Sequence, residues 1–533
     1  MGGDIVGWIA ILHVPLCSHR VSVLFCPAAS CQSFCSTEFR MPKNRKLLFR
    51  CVAVLLGLSV LPLFEMACRI AGWGADRPAI DAFAEFAAVR PLFRLDDSGK
   101  RYHVAEDRRS FFAEDSFAAQ KPPDEFRIFV FGGSTVQGRP YSVPTAFGTF
   151  LEIGLKNAVP SKRWEVVNCG GVSYASYRLL PIMQECLSYE PDLYILCTGH
   201  NEFLECITYA KVISAASIVS HTYRRLHGLN SFRLLQIAMG GTAPSESDAT
   251  RRSHDSVLAE EVDALLDHQG GLEAYSRATL HADRVVATFG HNLQRAIDLS
   301  GHAGVPMLLM RPPSNLQNCP PFKSEFSART DDSARRQIAT DLKAAGRLQT
   351  TNMNEATDLL EQITAADERF AFSWYQLGQA YMLSGRTDDA VVAFRRARNE
   401  DVCPLRMTSD LGDMMFSVAE NNNTPLLDIH QLLQKTARRN IVGDSVLVDH
   451  IHPSFRSNQT IAFAVIDRLR SLNLIPMEHK EWQASAQTAF DDHLQSLDNL
   501  YFLHGQRTLK SLKAWAQGRG DGPPLSVSGT ETR

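Results

Sequence analysis

From residue 124 onward, short apolar runs alternate with longer stretches whose apolar residues recur at helical spacing, and this alternation is the strongest constraint on the fold. The runs 127–131, 165–168, 193–198, 306–310 and 426–429 are rich in Val, Ile, Leu, Phe or Tyr and too short for helices, so they are read as strands. Residues 177–187, 274–300 and 455–472 carry the helical period and are expected to pack on the sheet that those strands form. A chain written this way is α/β, with a parallel sheet covered by helices on both faces. Residues 240–256 are polar and rich in turn formers, and read as an exposed loop.

At 533 residues the chain exceeds one ordinary core, so several units are expected. Its 55 basic and 58 acidic residues leave a net charge of -3 beside 45% hydrophobic content. That balance describes a globular protein and not a polyanion binder, so nucleic acid is not an expected partner. The 12 cysteines contain no C-x-x-C pair, and six of them precede residue 70. A disulfide among Cys169, Cys186, Cys197, Cys206, Cys319 and Cys403 stays open, because pairing needs proximity that spacing does not supply.

Residues 41–73 have the form of a membrane-targeting segment: Lys43, Arg45, Lys46 and Arg50 precede a charge-free apolar run, residues 51–64. The run falls short of the ~20 residues of a spanning helix unless its flanks join it, so signal anchor and cleaved signal peptide both remain open. Basic residues stay cytoplasmic, and the remainder is expected to be exported: periplasmic or otherwise extracytoplasmic on an anchor, secreted after cleavage. Glu65 stands where lipoprotein processing at Cys68 wants an apolar residue. Residues 1–40 read neither as a targeting signal nor as a fold, and Met41 with its basic followers reads as the more natural start. Residues 74–123 read as a linker.

The α/β pattern is split into 124–330 and 406–472 by an all-α insertion at 331–405. Trp374, Leu377, Gly378, Tyr381, Ala390 and Phe394 fit the TPR pattern W-x2-L-G-x2-Y followed by A-x3-F. Ala356 and Leu360 stand 34 residues before Ala390 and Phe394, while Thr340, Lys343 and Arg347 do not fit a first helix. One repeat is thus well marked and another degenerate. Small Gly378 and Ala390 let the two helices of a repeat approach closely. Leu494, Leu497, Tyr501, Leu509, Leu512 and Trp515 suggest a C-terminal helical pair at 473–517, and the Gly/Pro/Ser-rich tail 518–533 is expected to be disordered.

Four peptides carry the chemistry. Phe131-Gly132-Gly133-Ser134-Thr135 follows a strand directly, so Ser134 sits on a strand-to-helix turn where helix-start N–H groups face a developing oxyanion. A phosphate loop is excluded, because Arg139-Pro140 stands where Lys-Ser/Thr is required. Residues 166–174, with Gly170, Gly171 and Ser173, place a small-residue loop at the next strand end. In Gly199-His200-Asn201-Glu202 the Asn201 amide can donate to an oxyanion. In Asp449-His450-Ile451-His452-Pro453, His452 is a base with its orienting carboxylate Asp449 three residues away. His450 reads as a surface or loop residue, and zinc on His450 and His452 lacks further ligands, so neither metal nor cofactor is expected.

In this order and at these positions, the four peptides resemble the blocks of the SGNH (GDSL-like) hydrolases. The resemblance spans 127–472 around the insertion. It implies a three-layer α/β/α, flavodoxin-like sheet, with Ser134 as nucleophile, Asp449 and His452 completing the triad, and Ser134, Ser173 and Asn201 forming the oxyanion hole. The chain departs from the usual blocks at Gly133 for Asp, Glu202 for Asp and Ser173 for Gly. Residues 312–326 and 401–406 are similar to a bacterial, membrane-tethered subgroup with TPR-like repeats. Arg178 belongs to a stretch of that subgroup, with a structural and a substrate-binding role both open. The resemblance implies a serine esterase on acyl esters, O-acetyl groups of envelope carbohydrate among them, with an O-acyltransferase as its variant. The rival of another class is a catalytically idle envelope scaffold that binds a protein partner through its TPR-like helices.

Overall fold

The computed structural model describes residues 91–204, 275–476 and 478–516, together with Ser59, Pro62, residues 64–71 and Ser231. Two compact units divide the chain, Met1–Ala75 and Asp76–Arg533. In the first, residues 64–70 are helical, while the basic cluster and most of the apolar run of the expected targeting segment lie outside the described residues. Among the described residues no helix is long and apolar enough to cross a membrane. The expected loop at 240–256 and tail at 518–533 also lie outside them.

The first described elements of the second unit form a three-stranded antiparallel sheet, β1 (Phe93–Leu95), β2 (Arg101–Val104) and β3 (Ser116–Ala118). The linker expected at 74–123 is therefore corrected. From Phe93 it is folded, and Phe93, Phe112 and Phe117 are buried in a core cluster. Strands of three or four residues carrying Arg94, Arg101 and His103 show too few alternations to stand out in a sequence.

The main sheet comprises β4 (Glu125–Gly132), β5 (Arg163–Gly170), β6 (Leu193–Cys197), β7 (Met307–Arg311) and β8 (Leu426–Asp428). The expected strands are all present, with ends displaced by two residues at most. Their order is β5-β4-β6-β7-β8, and every neighbouring pair is parallel. The first strand of this sheet, β4, thus lies between the second and third, the flavodoxin-like arrangement in which loops leaving the carboxyl ends diverge and open a crevice.

The helices in chain order are α1 (Ser134–Gln137), α2 (Phe147–Ala158), α3 (Ser176–Cys186), α4 (Ala282–His302), α5 (Asp332–Leu348), α6 (Met353–Ala366) and α7 (Ala371–Leu383). There follow α8 (Thr387–Asn399), α9 (Ser409–Asn421), α10 (Ile429–Thr436), α11 (Phe455–Ser471), α12 (Trp482–Ser496) and α13 (Asn499–Ala516). Because strand side chains alternate, Phe129 and Phe131 enter one core with α3, α4 and α9, while Ile128 and Val130 enter the opposite core with α2, α10, α11 and α12. Each large apolar side chain buried this way contributes roughly 1.5–3 kcal/mol, so these two layers outweigh the surface ion pairs.

Between β7 and β8, ahead of α9, helices α5 to α8 form two helical hairpins around Ile338, Leu360, Ile363, Leu377 and Ala393. The side chains of Asp331 and Asn352 accept from Ala334 N and Glu355 N at the starts of α5 and α6. A Cβ on Gly378 would lie 2.7 Å from Phe394 Cδ1, so the close approach of α7 and α8 requires glycine there.

Candidate active site

Strand β4 ends at Gly132, and a Cβ there would lie 2.2 Å from the Cys197 carbonyl oxygen. Gly133, in extended conformation, precedes the one-turn helix α1, whose first residue is Ser134. Gly138, at φ 95°, closes that turn by donating its N–H to Ser134 O. The hydroxyl of Ser134 is thereby held at the rim of the sheet, at the switch point between β5 and β6.

Ser134 Oγ lies 2.8 Å from His452 Nε2, and His452 Nδ1 lies 2.6 Å from Asp449 Oδ2. The tautomer that makes both bonds carries its proton on Nδ1, leaving Nε2 to accept from the serine. Asp449 Oδ1 accepts the N–H groups of Ile451 and His452, each at 2.9 Å, so the carboxylate is clamped by its own loop. Burial raises the Asp449 carboxyl pKa, but His452, His450 and these donors outweigh it and hold the group well below the usual carboxylate range. All three side chains are buried.

The strand-end loops supply donors. No hydrogen-bond acceptor for the N–H of Ser134 or of Ser173 is found among the described residues. Ser173 adopts φ 60°, the left-handed region that favours glycine, which accounts for glycine being the residue the resemblance expects there. Asn201 Nδ2 donates to Tyr174 O at 3.0 Å and lies 2.7 Å from where a Gly133 Cβ would stand. A side chain at position 133 would therefore require the Asn201 amide to shift beside Ser134. The departure at Glu202 has its own account: its carboxylate accepts Ser176 N at 2.9 Å and Ser176 Oγ at 2.8 Å, fixing the start of α3 and the loop before it.

Asn168, near the carboxyl end of β5, also organises the site. Its Nδ2 donates to Val136 O at 2.8 Å and its Oδ1 accepts from Gly170 N at 2.9 Å, tying the second loop to α1. An Asn at a strand end directly before small residues was the available signal. His450 is not a surface residue: it is buried with its ring edge-on to Phe322, and burial pushes its pKa down to about 4 against the pull of Asp449. His200 is buried as well. Desolvation, reinforced by His450 and His452, keeps its pKa well below the ordinary value, and its Nδ1 accepts from Met407 N at 3.1 Å. Arg178 stacks its guanidinium 3.7 Å from the centroid of the Tyr174 ring, beside the Ser173 loop.

No family model matches the sequence, and no curated protein matches it. Solved structures do resemble it weakly. The acetylxylan esterase Axe2 from Geobacillus stearothermophilus is 12% identical, aligns over 64% of this chain and 94% of its own, and gives a TM-score of 0.27. A lipase/acylhydrolase from Enterococcus faecalis is 11% identical over 66% of this chain and 99% of its own, at a TM-score of 0.30. A putative lipolytic protein of the G-D-S-L family from Desulfitobacterium hafniense DCB-2 is 10% identical over 64% and 99%, at 0.29. Likeness at this level assigns neither family nor activity.

Proposed function

We propose that this chain is a serine hydrolase of acyl esters that works through an acyl-enzyme. The observation that carries the reading is the continuous relay from Ser134 Oγ through His452 to Asp449, at 2.8 and 2.6 Å. Ser134 Oγ attacks the ester carbonyl as His452 Nε2 takes its proton, and Asp449 stabilises the imidazolium. The N–H groups of Ser134 and Ser173 and the amide of Asn201 receive the oxyanion, each donor accounting for on the order of 10² to 10³ in turnover. His452 then protonates the departing alkoxide. Water, activated by the same imidazole, attacks the acyl carbonyl and releases the acid with regeneration of Ser134. An acyl acceptor alcohol in place of that water gives the acyltransferase variant.

O-acetyl esters of carbohydrate are the substrate class we put forward, with the enzyme tethered through residues 41–73 and its catalytic unit exported. The basic residues before the apolar run support this orientation. A labelled fluorophosphonate applied to wild type and Ser134→Ala is the test, paired with hydrolysis of p-nitrophenyl acetate. Labelling and turnover are expected in wild type alone. The second reading is an idle scaffold whose TPR-like helices bind a protein, favoured by the exposed Phe372, Leu383 and Val392 on α7 and α8. Folded wild type that neither labels nor turns over ester gives way to it.

A further inference from the structure

Two stretches that stand out in the sequence have no part in this mechanism: residues 312–326, which leave β7, and residues 401–406, which leave the helical insertion. In the fold they meet. Asp401 accepts the N–H groups of Phe322 and Lys323 at 2.8 and 3.0 Å, and Arg406 donates from Nη1 to the carbonyls of Asn315 and Cys319, both at 2.7 Å. Arg406 and Asp401 pair at 3.4 Å with their side chains almost fully buried.

The residue so held is Asn315, which is 1% exposed and uses every polar atom it has. Its Nδ2 donates to Asp449 O at 2.9 Å and to Asp444 Oδ1 at 2.8 Å, its Oδ1 accepts from Asn318 N at 2.9 Å, and its backbone N–H donates to His450 O at 2.9 Å. The carbonyls of residues 449 and 450 flank the peptide that sets the direction of the Asp449 carboxylate. Only an amide at this reach offers two donors and an acceptor: Asp lacks the donors and Leu lacks all three.

We propose that Asn315 is a positioning residue for catalysis, holding the Asp449–His452 loop in register with Ser134, and that Arg406 fixes Asn315 from the far end of the insertion. The inference rests on the esterase reading above and adds to it a source of precision outside the triad. A displacement of about 1 Å at reacting atoms costs on the order of 10² in rate, which is the scale at which such a clamp is felt.

The test compares full-length wild type, Asn315→Asp, Asn315→Leu, Arg406→Lys and, as control, Gln379→Met. The control cuts a different tie to the same segment, Gln379 Nε2 to Gln317 O at 2.8 Å. Turnover of p-nitrophenyl acetate is measured beside circular dichroism and the far-downfield proton resonance of the Asp449–His452 hydrogen bond. The Asn315 variants are expected to fold, to lose roughly 10- to 100-fold in kcat with KM little changed, and to shift or lose that resonance. Arg406→Lys is expected to fall between them and wild type, and Gln379→Met to keep wild-type kcat and resonance. A folded Asn315 variant with wild-type kcat and an unmoved resonance overturns the proposal, as does an equal loss in Gln379→Met. Should the Asn315 variants fail to fold, Arg406→Lys carries the same test, and wild-type behaviour in it is the refuting result. If wild type itself hydrolyses nothing, the esterase reading falls, while the resonance still decides whether Asn315 holds the pair.

Discussion

Replacing Asp449 by Asn changes one atom and tests the whole relay. In wild type, Oδ1 accepts two backbone N–H groups at 2.9 Å and Oδ2 faces the ring Nδ1 at 2.6 Å. An amide keeps its oxygen on the two backbone donors and therefore turns its NH2 toward Nδ1. Two N–H groups repel, so the ring moves its proton to Nε2 and becomes a donor toward Ser134, and the base is lost while the fold remains. A loss of roughly 10⁴ in kcat, about 5.4 kcal/mol of barrier, is expected with little change in KM. Thermal stability near neutral pH should fall, because the ionised carboxylate's contribution is lost, although both backbone N–H groups keep an acceptor. Asp449→Ala, by contrast, strands two buried N–H groups at about 1–3 kcal/mol each. Because folding lowers the Asp449 pKa below its ordinary 3.8, the carboxylate stabilises the fold above that pH and ceases to as pH falls through the folded value. Asp449→Asn should remove that acid-side loss. Saturation kinetics with p-nitrophenyl acetate and thermal melts read both effects. A folded Asp449→Asn enzyme within about tenfold of wild-type kcat refutes the tautomer argument.

Gly133→Ala puts a Cβ 2.7 Å from Asn201 Nδ2 and should displace the amide, lowering kcat by about 10² to 10³ in steady-state assays with the melting temperature little changed. Gly505→Ala on α13 puts a Cβ 1.9 Å from Tyr141 Cδ1 and should cost about 1–3 kcal/mol in denaturant unfolding, with loosening of the C-terminal helix. Burial, followed by repulsion from Glu152 and Glu125, raises Glu165 from 4.5 to about 7. A raised carboxyl favours the fold fully below its unfolded value and progressively less as pH climbs through the folded one. Glu165→Gln should therefore lose less melting temperature than wild type between about pH 5 and about pH 8.

The strands of the main sheet were legible because they are buried on both faces, so Phe129 and Phe131 on one side and Ile128 and Val130 on the other read as one apolar run. The rim was legible for a related reason: each chemical peptide directly follows a strand or precedes a helix, and the parallel order puts those ends at one edge of the sheet. What stayed hidden depends on partners distant in sequence. Nothing near His450 announces that Phe322 and Asn315 will cover it. Glu202 looks like a weakened Asp until Ser176 is seen on its carboxylate, and the closeness of the Asn201 amide to Gly133 has no local signal either. The small sheet β1–β3 was missed because its strands are brief and polar on one side.

The helical hairpins leave and rejoin the main body at nearly one point, where Val402 N donates to Lys323 O at 2.9 Å. A detour that begins and ends on adjacent peptides imposes no length of its own on what surrounds it. Lengthening the detour there alters loop entropy only logarithmically and leaves the spacing of the flanking strands untouched, whereas removing α7 and α8 would uncover Leu316 and Ile441, which pack against Met382 and Phe394. This junction is consequently the natural splice point for inserting further helical hairpins into the chain.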